Sequence, residues 1–246
     1  MTQQLSELER DELAESLSVD GHVEVMFAGS ERLRYMPGVP STWQKALASR
    51  ENAPYQVLDL WQPLRRLLPR TVEILKSRLV DVLLASLGAS RYSLVYVFRQ
   101  EGEVMAQIGY LPATEAQFVS IPGKLRTLLA PFYLVHDGWV DIHSRDGGPL
   151  PISEWISFKA GSTAGPTLLA TYSNGGHFAG FDLSDPLLTP YGLWPEDDEV
   201  QKLNDFWTHV DDQIAASLED CDQELKGSGM LRRKHPSPHN HNVVYE

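Results

Sequence analysis

Two β-hairpins and three apolar-striped helices predict an α+β fold for this chain of 246 residues. Tyr92 to Arg99 and Val104 to Tyr110 are strand-like runs on either side of Gln100-Glu101-Gly102-Glu103, with a glycine at the turn. Thr167 to Tyr172 and His177 to Leu183 flank Asn174-Gly175, residue types that tolerate the positive φ of a tight hairpin turn. The helices carry apolar residues three or four positions apart.

Leu5, Leu8, Leu13 and Leu17 alternate with charges and suit a short amphipathic helix. His22 to Phe27 reads as a strand closed by Ala28-Gly29-Ser30. Pro37, Pro40 and Pro54 break the next stretch into loop, with one short helix around Trp43 to Ala48. Pro69 then opens a helix whose face holds Val72, Leu75, Leu79, Val82, Leu83 and Leu87, with Gly88 as its stop.

After the first hairpin, a helical turn around Ala113 to Val119 leads to Pro122, which opens a helix bearing Leu125, Leu128, Leu129 and Phe132. Pro131 should end or kink it, because proline has no N–H to continue the ladder. Val140 and Ile142 form a strand after Gly138, and this alternation puts the His and Asp residues around it, His136, Asp137, Asp141 and His143, on its exposed side. Asp146-Gly147-Gly148-Pro149 is a turn, and Pro151 to Phe158 suits a strand or a short helix. Beyond the second hairpin comes a loop with a short strand near Tyr191. A long final helix is expected from about Asp197 to Glu224, striped by Val200, Leu203, Phe206, Trp207, Val210, Ile214 and Leu218, with acids in its first turn. Residues 226–246 are polar, rich in His, Pro and Asn, and expected to be disordered.

Composition narrows the function classes. No apolar run is long enough to span a bilayer, and the acidic N-terminus lacks the pattern of a signal peptide. Cys221 is the one cysteine, so no internal disulfide forms and cytoplasm is the expected compartment. The net charge of −12 has one source. His177 to Glu224 holds 13 acids against Lys202 alone, whereas the remainder has 20 acids and 20 bases. Such a field repels nucleic acid and anionic lipid and steers a basic partner inward, although a solvated helical face explains it equally well.

Catalytic patterns do not assemble. Gly161-Ser162-Thr163-Ala164-Gly165 misplaces its serine for a nucleophile elbow, Cys221 lies among acids that blunt a thiol, and no phosphate-binding glycine motif is present. His136, Asp137, Asp141 and His143 are a conceivable metal set for a hydrolase, but no further ligand cluster supports them. His235, His239 and His241 in the tail offer at most weak metal pickup. Trp139 and Trp194 read as packing rather than binding anchors. No cofactor is expected.

From Gly109 to Asp222 the chain resembles the SUKH superfamily of bacterial toxin-immunity proteins. The resemblance rests on Ile121-Pro122 stepping into a helix that ends at Asp137-Gly138, the aliphatic strand Leu168 to Thr171, the turn Asn174-Gly175-Gly176, the step Phe181-Asp182-Leu183, and a closing amphipathic helix. It implies a mixed or antiparallel sheet flanked by helices over residues 101–225; residues 1–100 match no part of that pattern and are expected to form an N-terminal α/β extension of their own, packed on the main domain. It also implies a non-enzymatic protein that occludes the active site of a cognate toxin, with a nuclease as the expected class. The acidic segment fits independently, because a nuclease surface is basic. Asp182, Asp185, Glu196, Asp197, Asp198 and Glu199 are the expected contacts. A regulatory or scaffolding protein of the same fold, without a toxin partner, is the alternative.

Overall fold

The computed structural model describes residues 5–18, 23–86, 91–100, 103–159, 167–196 and 199–219. Among them, the first sheet holds β1 (Glu24–Phe27), β2 (Leu79–Ser86), β3 (Tyr92–Gln100), β4 (Glu103–Tyr110) and β5 (Trp139–Asp141), adjacent in that order and antiparallel. The second sheet holds β6 (Gly148–Pro149), β7 (Ile156–Lys159), β8 (Thr167–Asn174), β9 (His177–Asp182), β10 (Pro190–Trp194) and β11 (Glu199–Lys202). Its order is β11-β10-β9-β8-β6, with β7 also on β8, and it too is antiparallel. Among the described residues, seven α-helices complete an α+β fold. None of the described helices is long and apolar enough to cross a membrane.

The two expected hairpins form in register, Gln100 opposite Glu103 and Asn174 opposite His177. Gly175 and Gly176 turn the second one at φ 57° and 87°, a pair of left-handed positions that two glycines adopt without strain. Along β3, side chains alternate between two cores. Leu94, Tyr96 and Phe98 join the main one, while Val95 and Val97 join a smaller one on the opposite face.

That smaller core is closed by α1 (Glu7–Leu17) through Leu13 and Leu17, together with Leu5 just before it. Ser6 and Glu9 start this helix as a capping box. Glu9 also accepts from Arg99 on β3 at 2.6 Å, and these bonds hold its carboxyl down at about 2. The main core is wrapped by α2 (Ser41–Ala46), α3 (Ala53–Gln56), α4 (Pro69–Arg78), α5 (Glu115–Val119), α6 (Gly123–Tyr133) and α7 (Phe206–Glu219). From α7, Phe206, Trp207, Val210, Ile214 and Leu218 pack in the same core as Tyr172, Ala179 and Phe181 of the second sheet.

Two elements differ from expectation. The helix opened by Pro69 stops at Arg78, and Leu79 to Ser86 become β2, buried on both faces. A strand covered on both sides shows no alternation, so its apolar run also matches helical spacing. The final helix begins at Phe206 rather than near Asp197, because Asp205 takes the N–H of Thr208 at 2.7 Å and Glu199–Lys202 pair with β10 instead. Pro131 lies inside α6, which continues two residues past it. The divide expected at residue 100 falls within the β3–β4 hairpin, so the first sheet spans both sides of it. Residues 226–246 lie outside the described residues, as do Cys221, Gly161 to Gly165 and the tail histidines.

Candidate partner-binding surface

Of the six acidic residues expected to meet a partner, the four described ones separate into two groups. Asp182 ends β9, and its Oδ1 accepts from the N–H of Ser184 at 2.8 Å and the Ser184 hydroxyl at 2.6 Å. Asp185 accepts from the N–H of Leu187 at 2.8 Å, the N–H of Thr189 at 3.2 Å and the Thr189 hydroxyl. Those bonds, the hydroxyl first, hold the Asp185 carboxyl below its ordinary range. The pair folds the β9–β10 connection, in which Leu188 is forced to φ 51°, an unfavourable value for a leucine. Both carboxylates are thus engaged within the loop.

Glu196 and Glu199 sit at the β10–β11 turn, where Trp194 faces Glu199 in the register. Both are exposed, and all four residues of β11 are exposed along the outermost strand of the sheet. Asp197 and Asp198 fall outside the described residues. The Asp182–Asp185 loop joins the Pro190 end of β10 and the Glu196–Glu199 turn joins its Trp194 end, so about 13 Å of strand separates them. The structure brings each described pair together but does not join the four into one patch.

Most other described acids of this segment have structural posts. Asp205 caps α7. Asp211 is buried and caps α4, while Asp212 and Glu219 pair with Arg70 at 2.6 and 2.9 Å. The projecting negative charge among the described residues of this segment is therefore concentrated at Glu196 and Glu199.

Within the conceivable metal set, His136 spends both ring nitrogens on the scaffold. His136 is fully buried, a correction to its expected exposure. Its Nδ1 lies 2.9 Å from the Tyr110 carbonyl, which can only accept, so Nδ1 carries the proton. Nε2 then accepts from the Tyr96 hydroxyl at 2.7 Å, and the Tyr96 oxygen accepts from Trp61 Nε1 at 3.0 Å. Burial in this aromatic nest, with Trp43 and Trp139 alongside, pushes the imidazole down to about 4, so it is neutral. Asp137 accepts from Gln117 Nε2 at 2.7 Å and the Ile152 N–H at 2.9 Å. Asp141 Oδ1 accepts the N–H groups of His143 and Ser144, both at 2.9 Å, and His143 is exposed. Among the described residues no group of three or more His, Cys, Asp or Glu is placed to hold a metal ion.

Two features of the site region were not read from the sequence. Gly109 leaves the space that His136 fills, since a Cβ there would fall 2.6 Å from the ring. A lone glycine in a strand was the available signal. His177 stacks on Trp194 with centroids 4.4 Å apart and meets His209 of α7 edge-on at 5.0 Å. Burial and the facing His209 push His177 down to about 4. Trp139 and Trp194 are both packing residues, as expected. Compared with known proteins, the chain matches no family model, no curated protein and no solved structure.

Proposed function

We propose that this chain is an immunity-type protein of the SUKH kind, which binds a basic toxin and occludes its active site, with a nuclease as the preferred class. The observation that carries this reading is the β10–β11 hairpin. It projects Glu196 and Glu199 beside an edge strand exposed at every position. Carboxylates held at a hairpin tip speed encounter with a cationic surface through long-range attraction. An exposed strand also offers unpaired backbone groups to a partner segment. His136 commits both ring nitrogens to internal hydrogen bonds, which removes it from the candidate metal set and supports binding over hydrolysis. The cytoplasm, where a producing cell must neutralise such a toxin, is the matching compartment.

Reversing both charges, Glu196→Lys with Glu199→Lys, should weaken binding to the product of the neighbouring reading frame about tenfold or more and flatten its salt dependence. Unchanged affinity together with unchanged salt dependence would rule the reading out.

A further inference from the structure

A cleft of roughly 490 Å³ opens where β3 begins and β4 ends, between that end of the first sheet and the segment that joins β6 to β7. Its size is within the range of sites that hold a small ligand or a long side chain with its backbone. Asp137 lies half-buried in it, and Glu154 is an exposed member of its lining. Tyr92 and Tyr110 add aromatic surface, while Leu111, Pro112 and Pro151 supply apolar surface. Among the described lining residues Arg91 is the one cation and is exposed, so that with Asp137 and Glu154 they carry a net charge of −1.

We propose that this cleft takes an arginine or lysine side chain of the basic partner, its charged head on Asp137 and its aliphatic stem along the tyrosines and prolines. The geometry of Asp137 is the main reason. Gln117 is fixed by Thr114, whose N–H and hydroxyl both donate to Gln117 Oε1 at 2.8 Å, so its amide can hold Asp137 Oδ2 in place. The Ile152 N–H holds the other oxygen. Each oxygen therefore keeps a lone pair free, on a carboxylate whose direction is set before any ligand arrives. Burial raises Asp137 above the ordinary carboxylate range, a cost that a neighbouring cation offsets. The tyrosine faces favour the same class of ligand. Gly138 matters to this shape. It sits at φ 111° with Pro151 against it, and a Cβ there would press to 2.9 Å from the proline ring.

This inference rests on the reading of a basic partner but uses the opposite edge of the second sheet from the acidic hairpin. From β11 to β6 is four strand spacings, about 19 Å, which one standard interface can cover. The test is an amide-resolved NMR titration of the full chain with N-acetylarginine amide, N-acetylglutamine amide and N-acetylglutamate. Arginine should bind at about 1 to 10 mM and shift the amides of Gln117, Asp137 and Ser153, whereas neutral glutamine should not. Asp137→Asn, which can still accept the Ile152 N–H, should weaken that binding about fivefold. Glu154→Gln, at an exposed position that leaves the fold alone, should weaken it about twofold. Arg91→Ala should tighten it. Equal shifts with glutamine, binding of glutamate that Arg91→Ala abolishes, or no shift in the cleft would each overturn the proposal. Loss of the partner on hairpin charge reversal, with arginine leaving the cleft untouched, would sink this inference alone. Arginine binding without any effect of the hairpin variants on the partner would sink the earlier reading alone.

Discussion

Asp211 on α7 accepts both the backbone N–H of Thr71, at 2.9 Å, and its hydroxyl, at 2.8 Å, across 140 positions of chain. Its second oxygen takes the N–H of Arg70 at 3.0 Å. The first turn of a helix has N–H groups with no partner inside the helix, and α4 has no capping side chain of its own. A remote carboxylate supplies the cap, at the end where the helix dipole favours negative charge.

Removing that cap strands buried donors. Asp211→Ala should cost about 3 kcal/mol, from two N–H groups and a hydroxyl losing a charged acceptor. Asp211→Asn, which keeps one acceptor oxygen, should cost less. Urea unfolding would register the change as a lower midpoint at constant slope. A loss below about 1 kcal/mol for the alanine variant would show that water caps α4 equally well.

The histidines make stability depend on pH. His136 and His177 sit at about 4 in the folded chain, against an ordinary 6.5. Between these values the unfolded chain binds more protons, so stability falls as pH drops from 6.5 toward 4. Each full shift is worth about 3 kcal/mol at the acid end of that window. Burial lowers His209 in the same direction, while Asp212 works against it. Asp81 and Asp137 oppose the trend, because burial makes them take up protons earlier when folded. Midpoints measured at pH 7, 5.5 and 4.5 should fall steadily, and His177→Phe should reduce the slope. A flat profile over this window would show that neither ring is desolvated.

The His136 nest is tight as well as neutral. Gly109→Ala would drive a methyl to 2.6 Å from the ring and should cost about 2 kcal/mol through overpacking. Tyr96→Phe leaves Trp61 Nε1 and His136 Nε2 without partners, at about 1 to 3 kcal/mol for each buried group. If both variants unfold at the wild-type denaturant midpoint, the ring is not held as described.

Local pattern and long-range partnership divide what could be read beforehand. The β3–β4 and β8–β9 hairpins were legible because alternation and turn glycines act within ten or so residues. β2 was not, since burial on both faces erased its alternation. The extra length given to the last helix came from Val200 and Leu203 happening to extend its stripe, although Asp205 interrupts the backbone between them and Phe206. The acids of α7 looked alike as letters. Asp211 differs from Glu196 only because α4 begins beside it. His136 was placed on the wrong side for the same reason, its partners Tyr96 and Trp61 lying 40 and 75 positions earlier.

For α1, magnitudes decide which contact holds it. The Glu9–Arg99 pair is about one-fifth exposed and worth about 1 kcal/mol at most. Leu17 is 1% exposed and fills the smaller core. Leu17→Ala should therefore cost about 3 kcal/mol, and Glu9→Gln much less. Hydrogen exchange along β3 should quicken for the leucine variant only.

The two acidic pairs should behave differently when neutralised. Asp182 and Asp185 spend their oxygens on the β9–β10 loop, whereas Glu196 and Glu199 project from a hairpin tip. Asp185→Ala should free the N–H groups of Leu187 and Thr189, raise their exchange toward that of an unstructured chain, and let Leu188 relax from φ 51°. Glu196→Gln with Glu199→Gln should leave exchange everywhere unchanged while slowing association with a basic partner. The decrease should shrink as salt rises and the Debye length contracts to about 10 Å or less. If the loop variant slows association as much as the hairpin variant, the loop too belongs to the contact surface. In that case the partner must reach both ends of β10.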